Sequence, residues 1–361
     1  MKKLILILGC VLALSACKEE NKQQGKEKPV VKIGAILPLT GGAAALGASL
    51  KAGTMAALED KEKEGLKYHY KVVFEDNQHM PAKTAPAANK LIASDKVNML
   101  LTFTTGPGRV AAPIAESAGL LQMCATLENE FAEPMGKTTF FQGPTVQSYQ
   151  RILLSALEKR GIKKIAMLAA NVGVACSGTE ALSKMLSQKD IENEVECFNP
   201  SDRDFRLPIQ KYVKEGYEYF YLQFFPPQTD ILVRELKAQN IAPEHIFGSG
   251  IDTGSDVSLF ENINHVGGSS GTQAFIDRLM AEYKIDNVYM AASSYDLIGL
   301  AIDAFENARD IKNIDEIVAY IKAHATRKCE SGDCRLLENG FIANEAEWRT
   351  YIGGKPVALE E

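Results

Sequence analysis

The residues best suited to chemistry fall in a few short runs. Thr104-Thr105-Gly106-Pro107-Gly108 sets two hydroxyls and a glycine-containing bend just before an amphipathic stretch, Arg109 to Ser117. Hydroxyls and free N–H groups at the start of a helix suit an anion, because the helix dipole and the unpaired donors both favour negative charge. The same threonines would serve as helix caps, a role compatible with binding. Gly267-Gly268-Ser269-Ser270-Gly271 has the letters of a nucleophile elbow. That chemistry needs a buried strand before the serine, a helix after it, and later acid and histidine partners. The flank is polar and glycine-rich, so a loop is expected. Asp252-Thr253-Gly254-Ser255 has the letters of an aspartic-protease turn, but no second copy exists to share the proton. It reads as a turn, a cap or a ligand-loop acid. His69, His79, His245, His265 and His324 are dispersed without ligand spacing. No metal, no cofactor and no enzymatic activity are therefore expected.

The N-terminus carries a different signal. Lys2 and Lys3 precede an apolar run, Leu4 to Leu14, broken only by Gly9 and Cys10. The run is too short to span a bilayer comfortably and ends in small residues, as an export signal does. Leu14-Ser15-Ala16-Cys17 resembles a bacterial lipobox, in which Cys17 takes a diacylglycerol and becomes the mature N-terminus. Residues 18–30 are polar and read as a flexible tether. Export permits disulfides. Cys329 and Cys334 bracket a short glycine-containing turn that could close as a local bridge. Cys176 and Cys197 flank a helix–strand unit and are candidates for a second pair, which leaves Cys124 as the odd thiol.

These groups need a scaffold, and the chain's bulk properties bound it. At 361 residues, two domains are the natural expectation. The net charge of −6 is spread over mixed lysines and glutamates, which excludes the basic footprint of a nucleic-acid binder. From Val30 onward, short apolar runs alternate with amphipathic stretches. Strands are expected at Val31–Leu37, Lys71–Glu75, Val97–Phe103 and Leu120–Ala125, then at Lys164–Ala169, Glu194–Phe198, Tyr219–Phe225 and His245–Gly248. Helices are expected between them, with a long one over Ala291 to Asn307, another over Asn313 to His324, and irregular hairpins from Leu336 to Val357. Such alternation implies an α/β protein with parallel sheets covered by helices. Open parallel sheets bind ligands beyond the carboxyl ends of their strands. That rule points to loops at Pro38–Gly47, Phe103–Gly108, Ala125–Glu130, Phe225–Gln228 and Ser249–Asp256. Two lobes facing each other through such loops would close about a hinge.

Several pieces, in order, resemble the branched-chain amino-acid receptor family of ABC transporters, the type I periplasmic binding proteins. They are Val31-Lys32-Ile33-Gly34 with Leu37-Pro38-Leu39-Thr40-Gly41, Phe74-Glu75-Asp76-Asn77 with Pro81, Val97 to Thr105, Asp204-Phe205, and Tyr295-Asp296. The resemblance implies a two-lobed type I fold. Lobe 1 would span 31–143, with 272–330 returning to it in part, lobe 2 would span 144–271, and a hairpin region at 331–361 would lie near the hinge. It implies ligand contacts at Thr105, Thr126 and Glu128, where relatives hold a carboxylate, with Thr104 beside the first of them. Relatives that bind amino acids hold the ammonium with a tyrosine and a glutamate. Phe225 and Gly250 stand at those positions here, and Asp252 is the candidate replacement acid. Leu46 and Met290 match positions that face the ligand side chain. The stretch between Leu259 and Thr272 is shorter than the family's usual spacing, at a place where relatives carry a strand. The implied protein is a monomeric, lipid-anchored receptor outside the cytoplasm, passing an amino acid or organic acid to an ABC transporter permease. The rival readings are a ligand-sensing lipoprotein signalling to a membrane partner and, last, an exported hydrolase.

Overall fold

Parallel strands that are covered on both faces read as unbroken apolar runs, and two sets of such runs build this molecule. The computed structural model describes residues 28–172, 174–251 and 256–359. In the first sheet, β1 (Val30–Leu37), β2 (His69–Asp76), β3 (Met99–Phe103), β4 (Leu121–Ala125) and β5 (Thr139–Pro144) run parallel in the order β5-β4-β3-β1-β2. Every residue of β3 and β4 is buried. In the second, β6 (Lys164–Ala170), β7 (Glu192–Phe198), β8 (Tyr219–Gln223), β9 (Ile246–Ser249) and β10 (Asn264–Gly268) run parallel in the order β10-β9-β8-β6-β7. Each sheet has its own core: Leu46, Leu101, Met123 and Ile298 belong to one, Tyr212, Phe220, Leu222 and Phe260 to the other.

The 331–361 stretch divides between the sheets. β11 (Arg327–Cys329), β12 (Gly332–Leu336) and β13 (Phe341–Asn344) extend the first, with β13 parallel to β5. β14 (Ala346–Ile352) and β15 (Lys355–Ala358) extend the second, with β14 antiparallel to β10. The chain therefore crosses between sheets after β5, after β10 and after β13. The crossings lie together: Asn344 pairs with Pro144, and Gly268 packs on Pro144.

Helices cover both sheets, and several depart from the sequence expectation. α1 (Ala44–Glu62), α2 (Pro81–Lys90), α9 (Ala291–Asn307) and α10 (Ile314–His324) lie where expected. α3 (Thr105–Ser117) begins at Thr105 rather than Arg109. Four elements carried no clear sequence signal: β5, α4 (Val146–Lys159), β10 and α8 (Gln273–Tyr283). α4 has an orthodox cap, with the Thr145 side chain accepting from the Ser148 N–H. β10 corrects the loop expected at Gly267–Gly271. Gly267 and Gly268 are strand residues, and a Cβ at Gly268 would sit 3.2 Å from Pro144 and 3.3 Å from Met290 Sδ. The glycines thus serve close packing at a crossing, not a turn. β10 also completes the second sheet in the segment that is short relative to the family. No helix among the described residues is long and apolar enough to cross a membrane.

Candidate functional site

A cavity of about 250 Å³ opens where the carboxyl ends of both sheets face each other. Each wall comes from strand ends, as open parallel sheets dictate. The first lobe supplies His79 after β2, Thr104 and Thr105 after β3, and Thr126 after β4. The second supplies Val172 after β6, Arg203 after β7, Phe225 after β8 and Gly250 after β9. Phe103, Phe224, Tyr289 and a run of prolines make most of the remaining wall apolar. The lobes touch across the cleft: the His79 and Phe225 rings meet edge-on at 5.4 Å.

Part of this cavity's lining suits an anion. Thr105, Ala175 and Gln228 are the first residues of α3, α5 (Ala175–Ser187) and α7 (Gln228–Ala238), and all three line it. Three helix N-termini therefore bring partial positive charge to the cavity wall. Thr105 Oγ1 and Thr126 Oγ1 are 3.0 Å apart, and each lies within reach of the Leu127 carbonyl oxygen, at 3.0 and 3.1 Å. Hydroxyls that share one carbonyl can rotate onto a ligand oxygen. Gln223 Oε1 lies 3.0 Å from the Thr179 hydroxyl and 3.1 Å from the Tyr221 hydroxyl, which ties this side chain to α5 and β8. Arg203 is held at the rim by its bonds to the Pro200 and Asp202 carbonyls, both 2.7 Å.

Four of the sequence-predicted residues, Thr104, Thr105, Thr126 and Phe225, are brought to this wall. Thr104 does not cap α3: its hydroxyl turns back to the Phe103 carbonyl at 2.7 Å. Three others stand elsewhere. Leu46 is fully buried in the first-lobe core, on the inner face of α1. Met290 is buried at the start of α9, packed against Gly143 and Gly268 at the crossings. Glu128 is buried away from the cavity, accepting from Arg109 at 3.2 Å and from the Asn129 N–H at 2.9 Å. That pairing answers the problem a carboxylate would pose beside an anionic ligand. Asp252 and Cys17 lie outside the described residues. Cys176–Cys197 and Cys329–Cys334 are paired, and Cys124 is free, buried, with its thiol pushed up to about 12 by burial.

Sequence reasoning passed over His79, Val172, Val174, Arg203 and Gln223. A signal existed for most of them. The strand-end rule points to the loops after β1, β3, β4, β8 and β9. Extending it to the ends of β2, β6 and β7 reaches His79, Val172 and Arg203 as well.

Residues 30–328 match the family described as periplasmic binding protein. The chain belongs to the periplasmic binding protein family. The family legible in the sequence motifs is thus the family matched, and the α/β two-lobed fold is that of its type I members. This periplasmic binding protein is 23% identical over 350 residues to the Leu/Ile/Val-binding protein BraC3 of Rhizobium johnstonii, covering 91% of this chain and 94% of that one. Its fold is similar to the branched-chain amino acid transporter substrate-binding protein LivJ of Streptococcus pneumoniae, solved with isoleucine (TM-score 0.75, 21% identity, 91% of this chain and 98% of that one). It is also similar to an ABC transporter solute-binding protein of Rhodopseudomonas palustris, solved with 3,4-dihydroxybenzoic acid (TM-score 0.74, 20% identity, 92% and 96%).

Proposed function

We propose that this chain is an extracytoplasmic receptor of an ABC transporter that captures a small organic carboxylate with an apolar body. The observation that carries the reading is the presence of the paired Thr105 and Thr126 hydroxyls and three helix N-termini in the wall of one interlobe cavity. Donors and dipoles of this kind favour a carboxylate, while Phe103, Phe224, Phe225 and Tyr289 favour an aliphatic or aromatic body. The relatives' ligands, isoleucine and a dihydroxybenzoic acid, share that description. A lipid on Cys17 and the polar tether of residues 18–30 would hold the receptor at the membrane beside its permease.

A thermal-shift screen of the chain from residue 28 onward, over amino acids and aromatic acids, tests this. A ligand at a hundred times its dissociation constant stabilises the fold by about 2.7 kcal/mol. Thr105→Val is expected to abolish most of that shift while leaving the unliganded melting temperature within a few degrees. A full shift in the valine variant would remove the hydroxyl pair from the site.

A further inference from the structure

His79 occupies its place against the local preferences of the backbone. Gln78 and His79 have φ of 52° and 62°, and Thr104, whose hydroxyl meets the imidazole, has φ of 64°. Non-glycine residues adopt such conformations at a cost, and they persist where the surroundings over-determine them, commonly at binding sites. Here the surroundings are specific. Asp76 Oδ1 accepts from the Leu39 and Gln78 N–H groups, both at 2.9 Å, and Asn77 Oδ1 accepts from the His79 N–H at 3.0 Å. The ring then stacks on Phe103 of its own lobe at 5.9 Å and meets Phe225 of the other.

The bonds around the ring fix which nitrogen carries the proton. Thr104 Oγ1 lies 2.7 Å from the Phe103 carbonyl oxygen, which can only accept, so the threonine proton is committed there. Thr104 Oγ1 therefore accepts from His79 Nε2–H, 3.2 Å away. A neutral imidazole has one N–H. With it on Nε2, Nδ1 is an acceptor, and no described donor is bonded to it. Burial lowers the pKa of His79 below its ordinary 6.5, which keeps this neutral form at physiological pH. The charged groups nearby are already engaged: Asp76 with backbone amides, Lys83 with Gln78, and Arg203 of the facing wall with carbonyls. β3 and the Phe225–Pro227 loop bring no charge.

We propose that His79 Nδ1 is the acceptor that reads a donor group, hydroxyl or ammonium, on a ligand whose carboxylate sits at Thr105 and Thr126. This inference rests on the receptor reading above and narrows it, from carboxylates in general to carboxylates bearing a second, hydrogen-bond-donating group.

Calorimetric titration with two pairs of probes tests it: 4-hydroxybenzoate against benzoate, and leucine against 4-methylpentanoate. Within the pair that binds, the donor-bearing member is expected to bind about tenfold tighter or more to the wild type. In His79→Phe, which keeps a ring between Phe103 and Phe225, the two members are expected to fall within about twofold. His79→Gln, which keeps an acceptor, should retain part of the preference. Nitrogen NMR of the wild-type imidazole gives a reading that needs no variant: Nδ1 should shift on adding the donor-bearing probe. An unchanged ratio in His79→Phe, no preference in the wild type, or an unmoved Nδ1 overturns the inference and leaves the receptor reading standing. Binding of none of the four probes overturns both.

Discussion

At the scale of single residues, the site works by what each side chain has already spent. Thr105 and Thr126 share the Leu127 carbonyl and can turn to a ligand, whereas Glu128, two residues on from Thr126, is consumed by Arg109 and the Asn129 amide. Thr126→Val should therefore weaken ligand binding about tenfold or more, with the fold intact, as calorimetry would show. Glu128→Gln should leave affinity nearly unchanged and act on stability instead. A second titratable group lies outside the cavity lining. His265 on β10 is fully buried against Tyr351, and burial, with the Arg349 charge, pushes its pKa down to about 3. An unfolded histidine titrates near 6.5, so below that pH the unfolded chain binds a proton that the folded one refuses. The His265 contribution is thus present in full above pH 6.5 and is lost as pH falls toward 3. Urea midpoints at pH 7.5 and pH 4 should differ less in His265→Phe than in the wild type. Thr105 and Thr126 were legible in the sequence because hydroxyls at a strand end before a helix have a physical reason to be there. His79 was not, because its role depends on a tautomer set by a backbone twist at Thr104, which no spacing encodes.

At the scale of elements, close approach explains both the contacts and the sequence positions that misled. α1 crosses α9 so tightly that a Cβ on Gly53 would lie 2.1 Å from the Ala291 carbonyl oxygen. Gly53→Ala must push the helices apart, at a cost of about 1–3 kcal/mol measurable by urea unfolding. The glycines of β10 obey the same logic, which is why a run that looks like a loop is a strand. β10 was illegible because its buried polar residues, Asn264 and His265, break the apolar pattern expected of a central strand. α9, by contrast, was legible to the residue, because its apolar residues recur at helical spacing over five turns' worth of sequence. The Cys176–Cys197 bond ties the start of α5 to the end of β7, and both of these elements lead into the cavity wall. Replacing both cysteines by serine should destabilise the chain by about 3 kcal/mol. It should also weaken ligand binding, because Ala175 and Arg203 lose their common tether.

At the scale of the whole molecule, two separately packed lobes are joined at adjoining crossings, and the proposed ligand site is the gap between them. In the proposed receptor, closure of the lobes about these crossings would link affinity to shape. The β-α alternation makes the two-lobed fold legible in the sequence, since parallel strands demand crossovers and crossovers demand covering helices. What alternation could not convey was how the last stretch divides, with β13 joining one sheet and β14 the other across a single residue. The measurement that bears most directly on this account is calorimetric titration of the chain from residue 28 with the small carboxylate giving the largest thermal shift, run in parallel on wild type and the Thr105→Val, Thr126→Val double variant. One ligand per chain is expected in the wild type, with binding about a hundredfold weaker or more in a variant that remains folded. Equal affinity in the two proteins would contradict this account.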